Sequence, residues 1–220
     1  WLLSLIGSGL LSAYGRDRFR FRHSLITAYL ASLSLEDEPM EKLYERASQP
    51  RWKQAVALSA LYLPLDRLAQ ARLNAPVDVL HASLFDLAHW LKYAPQNAAW
   101  RGAALRQLTT IYIAPNQYPL MRKRAAAALI EARDPSVLFI LRKAVRNANP
   151  LIRSLACLAL GALGSADAIA DLRVLINDSE SAVSLSAGMA LGAIATQDAL
   201  EVMAIAFTEG SEPVRKAMAE

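Results

Sequence analysis

The apolar positions of the C-terminal half recur in steps of three and four, and the whole pattern returns every 31 residues. Leu129, Leu160 and Leu191 form one column, and Ala125, Ala156 and Ala187 a second. Leu138, Ile169 and Leu200 form a third, followed by Leu141, Leu172 and Met203. Three-and-four spacing marks the buried face of a helix, and a fixed period of this length marks a repeat architecture. Within one unit, residues 150–161 read as a first helix rich in small residues, broken by Gly164 and Ser165. A second helix then runs from about Asp167 to Ile176, with Ile169, Leu172, Leu175 and Ile176 facing inward, and Asn177-Asp178-Ser179 turns into the next unit. Pro119, Pro150 and Pro213 stand at or near first-helix starts, where a missing N–H costs nothing.

The N-terminal end follows a different period. Arg18-Phe19-Arg20-Phe21-Arg22 alternates strictly, as a half-buried strand does, and Gly15-Arg16-Asp17 is a turn signal before it. Residues 10–22 therefore predict a β-hairpin, with a helix end at residues 1–6 and a further helix over 23–33, where Leu25, Ile26, Tyr29, Leu30 and Leu33 regain helical spacing. Between this end and the repeats, Pro39, Pro50, Pro64, Pro76, Pro95 and Pro115 punctuate helices expected at about 39–48, 51–63, 64–73, 77–93 and 97–113. Trp52, Trp90 and Trp100 are expected to anchor their core. The fold class is mainly α, an α-α superhelix with a small N-terminal remnant containing a hairpin. Three domains are expected: 1–34, a helical connector or degenerate repeats at 35–117, and repeats at 118–220 that run on past the last residue.

Arg122, Arg153, Ser184 and Arg215 occupy one 31-residue column. The order Pro-x-(x)-Arg, Ala-x-x-Ala-Leu-Gly, apolar second helix and Asp-containing turn resembles HEAT-like repeats, of the short kind seen in phycobilisome-lyase-type families. Ser184 departs from it in place of Arg, and Ile130 in place of Gly. The resemblance implies that the arginine braces the turn between repeats. Phe21-Arg22-His23 to Tyr29-Leu30-Ala31 resembles the C-terminal edge of the winged helix in NACHT-type signalling NTPases, although Ala28 stands where that family often has an acid. That resemblance implies that residues 1–34 end a winged helix, and that His23 lies near the phosphates of ADP or ATP in a longer parent, whose oligomerisation on activation is left open. The chain has no Gly-x-x-x-x-Gly-Lys-Ser/Thr phosphate cradle, so such a module would lie upstream of Trp1. The start at Trp1 and the stop at Glu220 inside a helix are read as those of a piece of a longer polypeptide.

Charge separates the repeats. Residues 118–148 carry seven Lys/Arg and two Asp/Glu, and residues 165–220 carry three and nine, so a basic end faces an acidic one. Stacked second helices are expected to expose Phe139, Arg142, Lys143 and Arg146, with Arg173 one repeat on. A basic patch around an aromatic suits an acidic protein partner or trigger, a nucleic-acid backbone being the alternative. The arginines of the hairpin, Arg16, Arg18, Arg20 and Arg22, resemble a nucleic-acid-binding wing, with packing the preferred reading.

Catalytic groups are scarce. His81 and His89 are eight residues apart, too far for a helical metal pair, and Asp86 is expected to hydrogen-bond His89. Cys157 replaces an Ala/Gly column in a packed helix, where a thiol is inert. As the single cysteine it excludes an internal disulfide and suits a reducing, cytoplasmic compartment. Residues 1–14 are apolar but too short to span a bilayer, and are expected to be winged-helix core. A hydrophobic share of 54% is enough for a continuous core. The expectation is a non-enzymatic sensor or scaffold segment of a signalling NTPase, with no metal or cofactor of its own and no membrane contact. The alternatives are a generic HEAT-like interaction scaffold and a HEAT-like nucleic-acid-binding protein.

Overall fold

A computed structural model describes residues 1–15 and 17–219; Arg16 of the expected hairpin turn and Glu220 lie outside the described residues. The repeats form helix pairs. The first pairs α8 (Pro119–Glu131) with α9 (Pro135–Ala144), and the second pairs α10 (Pro150–Leu163) with α11 (Ile169–Leu175). The third pairs α12 (Ser181–Ile194) with α13 (Gln197–Glu209), and α14 (Glu212–Ala219) opens a fourth.

The boundaries have local causes that repeat with the same period. Arg133, Gly164 and Ala195 end the three first helices in the left-handed conformation, with φ of 49°, 64° and 50°. The next position supplies a helix-opening polar residue. Asp134 accepts from the Ser136 N–H and Thr196 from the Ala199 N–H, satisfying amides that a helix start leaves free. Asn149 caps α10 in the same way, and Pro119, Pro135 and Pro150 each open a helix.

Neighbouring first helices pack along their lengths, α10 against α12, whereas α11 only grazes α13. Small residues allow the close approach: a Cβ on Gly161 would lie 2.6 Å from the Ala190 Cα. Tyr112, wholly buried, donates its hydroxyl to the Ile152 carbonyl at 2.9 Å and ties the helix before the repeats to the second pair.

Between the N-terminal end and the repeats lie α3 (Met40–Ser48), α4 (Lys53–Ser59), α5 (Asp66–Leu73), α6 (Ala82–Leu91) and α7 (Arg101–Ile113). Three start or stop short of expectation; the helix expected from residue 97 begins at Arg101, after two three-residue turns at Ala98 and Arg101. The helix expected from residue 77 begins at Ala82, because Asp78 turns its carboxylate onto the Leu80 and Ala82 N–H groups and His81 takes a left-handed φ of 50°. The helix expected to reach 63 ends at Ser59, where Ala60, Leu61 and Tyr62 tighten into three-residue turns before Pro64. Trp90 and Trp100 are buried edge to face at 6.3 Å, whereas Trp52 is half-buried beneath the Arg46 guanidinium. One hydrophobic core runs unbroken from Leu35 to Val214.

The N-terminal end has α1 (Leu2–Gly7), β1 (Leu11–Ala13), β2 (Phe19–Phe21) and α2 (Ser24–Leu33). The strands pair antiparallel, Leu11 opposite Phe21 and Ala13 opposite Phe19, so the expected hairpin is present. The expected apolar core of residues 1–14 is not. Leu11 alone of these side chains is buried, while Trp1, Leu2, Leu3, Leu10 and Tyr14 are exposed. Phe19 is exposed too, because a two-stranded ribbon has no second layer to cover its apolar face. The hairpin joins the body through α2, which packs on α4.

Candidate functional site

The arginine column is a bracing device. Arg153 holds Asp178 with both nitrogens of its fork, Nε and Nη2, at 2.8 Å each, and its Nη1 donates to the Asn147 and Ala148 carbonyls. It thereby joins the end of one repeat to the turn of the next, and its hydrogen bonds hold the Asp178 carboxyl below the usual range. Ser184 keeps the same task with a shorter reach, donating to the Ile176 carbonyl at 2.5 Å. Arg122, only 1% exposed, donates to the carbonyls of Tyr112 and Ala114. Among the described residues its Nε has no partner, and burial pulls its pKa down. Arg215, the last of the column, is exposed.

The 31-residue count misses a further brace. Arg101, 2% exposed, donates to the Leu91, Ala94 and Ala132 carbonyls and pairs with Asp134 at 2.8 Å. Burial pushes the Asp134 carboxyl up, but the bonds from Ser136 and Arg101 outweigh it and leave the pKa lowered. Arg101 stands 21 residues before Arg122. Its signal in the sequence was an Arg at a helix start next to Trp100, without the period.

The second helices carry the exposed face. Phe139 is 72% exposed, and Lys143 and Arg173 are exposed as expected. Arg142 and Arg146 are not free cations: both reach Asp171 of the next unit, at 2.6 and 3.5 Å. Asp171 replaces Ile140 of the previous unit, so Arg142 of α9 and Arg146 just beyond its end clamp a single carboxylate on α11 where the helices themselves hardly touch. Along the stack the exposed column changes from Lys143 to Val174, 71% exposed, to Ile205. The face therefore grades from basic to apolar.

The remaining titratable residues have separate surroundings. His23 caps the start of α2, exposed and without a side-chain cap bond. Asp86 does not serve His89; it pairs with Lys53 at 2.8 Å and Arg72 at 3.3 Å, joining α4, α5 and α6. Partial desolvation, and then the nearby Lys53 charge, hold the His89 pKa below its ordinary value. His81 meets Gln117 at 3.5 Å. Cys157 is fully buried, and desolvation pushes its thiol up to about 12, as expected of an inert packed cysteine. Among the described residues no group of His, Cys, Asp and Glu could hold a metal ion, and no helix is long and apolar enough to cross a membrane.

Comparison with known proteins bears on the helix pairs. The solved structure of human deoxyhypusine hydroxylase in complex with glycerol aligns at 15% sequence identity with a TM-score of 0.45, over 89% of this chain and 76% of that one. No curated protein sequence matches this chain. The family described as HEAT repeats matches at residues 104–180 and 141–220. The match begins inside α7 and takes in every brace from Arg122 onward. Since residues 104–220 make up more than half of the sequence, the chain belongs to the HEAT-repeat family.

Proposed function

We propose that the chain is a protein-interaction scaffold whose partner docks on the face of the second helices. The observation that carries this reading is the uncovered ridge of Phe139, Val174 and Ile205 beside Lys143 and Arg173. Large apolar side chains grouped on one face and flanked by cations favour a protein partner. The complementary partner has acidic groups opposite α9 and an apolar strip opposite α13. Phe139→Ser combined with Val174→Ser is the direct test, because neither side chain is buried. The partner is first identified by crosslinking in the source cells. With the purified partner, the double variant should keep its helical circular dichroism and lose binding. An unchanged Kd overturns the reading. Arg142→Glu is a poorer probe, since it also breaks the Asp171 link.

A second reading makes the chain the sensor segment of a signalling NTPase, with short phycobilisome-lyase-type repeats after a winged-helix end. The order α1, hairpin, α2 supports it, as do the uncovered Leu3, Leu25, Tyr29 and Leu30, which form an apolar flank suited to further protein. In a longer parent His23 would meet the phosphates of ADP or ATP. The test is His23→Ala in that parent: faster ADP release is expected, and unchanged release removes the role.

A further inference from the structure

A second region of the molecule has a chemistry of its own, independent of the second-helix face. The hairpin, α2, the α3–α4 junction and the end of α6 enclose an open cleft of about 1500 Å³. Five cations line it, Arg20, Arg22, Arg46, Arg51 and Lys92, and no Asp or Glu among the described residues does. Arg46 is paired, with Glu38 at 3.3 Å. The other four make no ion pair among the described residues.

Their present contacts are weak substitutes for an anion. Arg20 lies 5.8 Å from the Tyr14 ring centre, and its Nε reaches the Ser12 hydroxyl at 3.4 Å. Lys92 lies 5.7 Å from the Tyr93 ring centre. Arg51 donates only to the neutral Gln49 amide. Arg22 extends past Gly9, where a Cβ would stand at ordinary contact distance, 3.6 Å from the Arg22 Nη1. Four unpaired cations drawn from three separate segments converge on one space, although like charges repel. An anionic occupant would offset that repulsion.

The dimensions and the rings select the occupant. The volume exceeds the range of about 300–1,000 Å³ typical of small-molecule pockets, which favours an extended polyanion. Phe21, Trp52 and Tyr93 stand among the cations. A groove of cations interleaved with rings suits a single strand, whose phosphates meet the cations while its bases stack. A carboxylate-rich peptide would use the cations but make no stacking contact with the rings. We infer that this cleft binds single-stranded nucleic acid. The inference does not depend on the scaffold reading, because the two sites share no residue.

The test is fluorescence anisotropy with the whole chain and a labelled oligothymidylate of about 12 nucleotides, a length within the usual range of single-strand sites. Saturable binding is expected, weakening with salt. Arg51→Ala combined with Lys92→Ala should lower the logarithmic salt slope by about 1.4, since each phosphate that the protein no longer neutralises takes away about 0.7. Arg20→Ala combined with Arg22→Ala is a second variant on a different segment and should act alike; circular dichroism checks the fold of both. Lys143→Ala combined with Arg173→Ala, on the second-helix face, should bind as the parent does. Absence of binding at low salt overturns the inference, as does unchanged binding by both cleft variants. Loss of binding in the second-helix variant would move the anion site there and overturn it too. A polyglutamate peptide of equal charge that binds as tightly as the oligonucleotide would assign the cleft to acidic protein instead.

Discussion

Arg122 and Arg153 hold equivalent positions 31 residues apart, and only Arg153 has a carboxylate partner among the described residues. Arg153 faces Asp178; the residue in the Asp178 column one repeat earlier is Asn147. Both turn side chains also accept a backbone N–H two residues on, at 2.9 Å from Asn149 and 3.0 Å from Glu180, so the turns themselves are alike. By the repeat column a carboxylate at position 147 would face Arg122, whose Nε is buried without a partner among the described residues. Asn147→Asp should supply it and raise stability by about 2 kcal/mol, the scale of a hydrogen bond to a charged group, measured by urea unfolding at neutral pH. The pH dependence follows from the Asp178 precedent, a carboxyl whose folded pKa is depressed. Such a group contributes fully above its unfolded pKa of about 4 and loses its contribution as pH falls through the folded value. The gain from Asn147→Asp should therefore vanish in acid. A variant no more stable than the parent at neutral pH would show that Asn147 and Arg122 do not meet.

At the scale of elements, the stack depends on how closely its first helices approach. Gly161 in α10 and Gly192 in α12 occupy one column, yet their surroundings differ. A Cβ at Gly161 meets the Ala190 backbone at 2.6 Å, whereas at Gly192 the nearest atom is the flexible end of Met203 at 3.8 Å. Alanine favours a helix over glycine by about 1 kcal/mol, and overpacking a rigid contact costs about 1–3 kcal/mol. Gly192→Ala should therefore raise the melting temperature and Gly161→Ala should lower it. Two shifts of the same sign would mean that α10 and α12 are not held at this distance. The second helices use a different device. They stand apart, and the Arg142 and Arg146 links to Asp171 bridge the gap. Part of the charge asymmetry between the repeats is thus consumed inside the stack.

For the whole molecule, the continuous core from Leu35 to Val214 makes the connector helices and the repeats one packed body. The hairpin end joins it through α2 and keeps much of its apolar surface uncovered. Two faces of opposite character result, a graded ridge on the second helices and a basic cleft under the hairpin. A stack of helix pairs can present both, because each repeat contacts mainly its neighbours and leaves long surfaces free. The two proposed ligands can therefore be tested separately, by variants that share no side chain.

The helix pairs of 118–220, their starting prolines, the hairpin of residues 10–22 and the burial of Cys157 were legible in the sequence. Helical spacing, strand alternation and turn chemistry act between residues close along the chain, and a repeat states them several times over. The late start of α6 was not legible, because Asp78 and His81 override the helical pattern with a local turn made by one side chain. The tertiary structure alone decided which charges stay free. Arg101 finds Asp134 across 33 residues, Arg142 finds Asp171 across 29, and the cleft joins Arg20 to Lys92. Such pairings follow from the distance and rotation between stacked helices, which packing of small side chains such as Gly161 against Ala190 sets and the linear pattern does not specify.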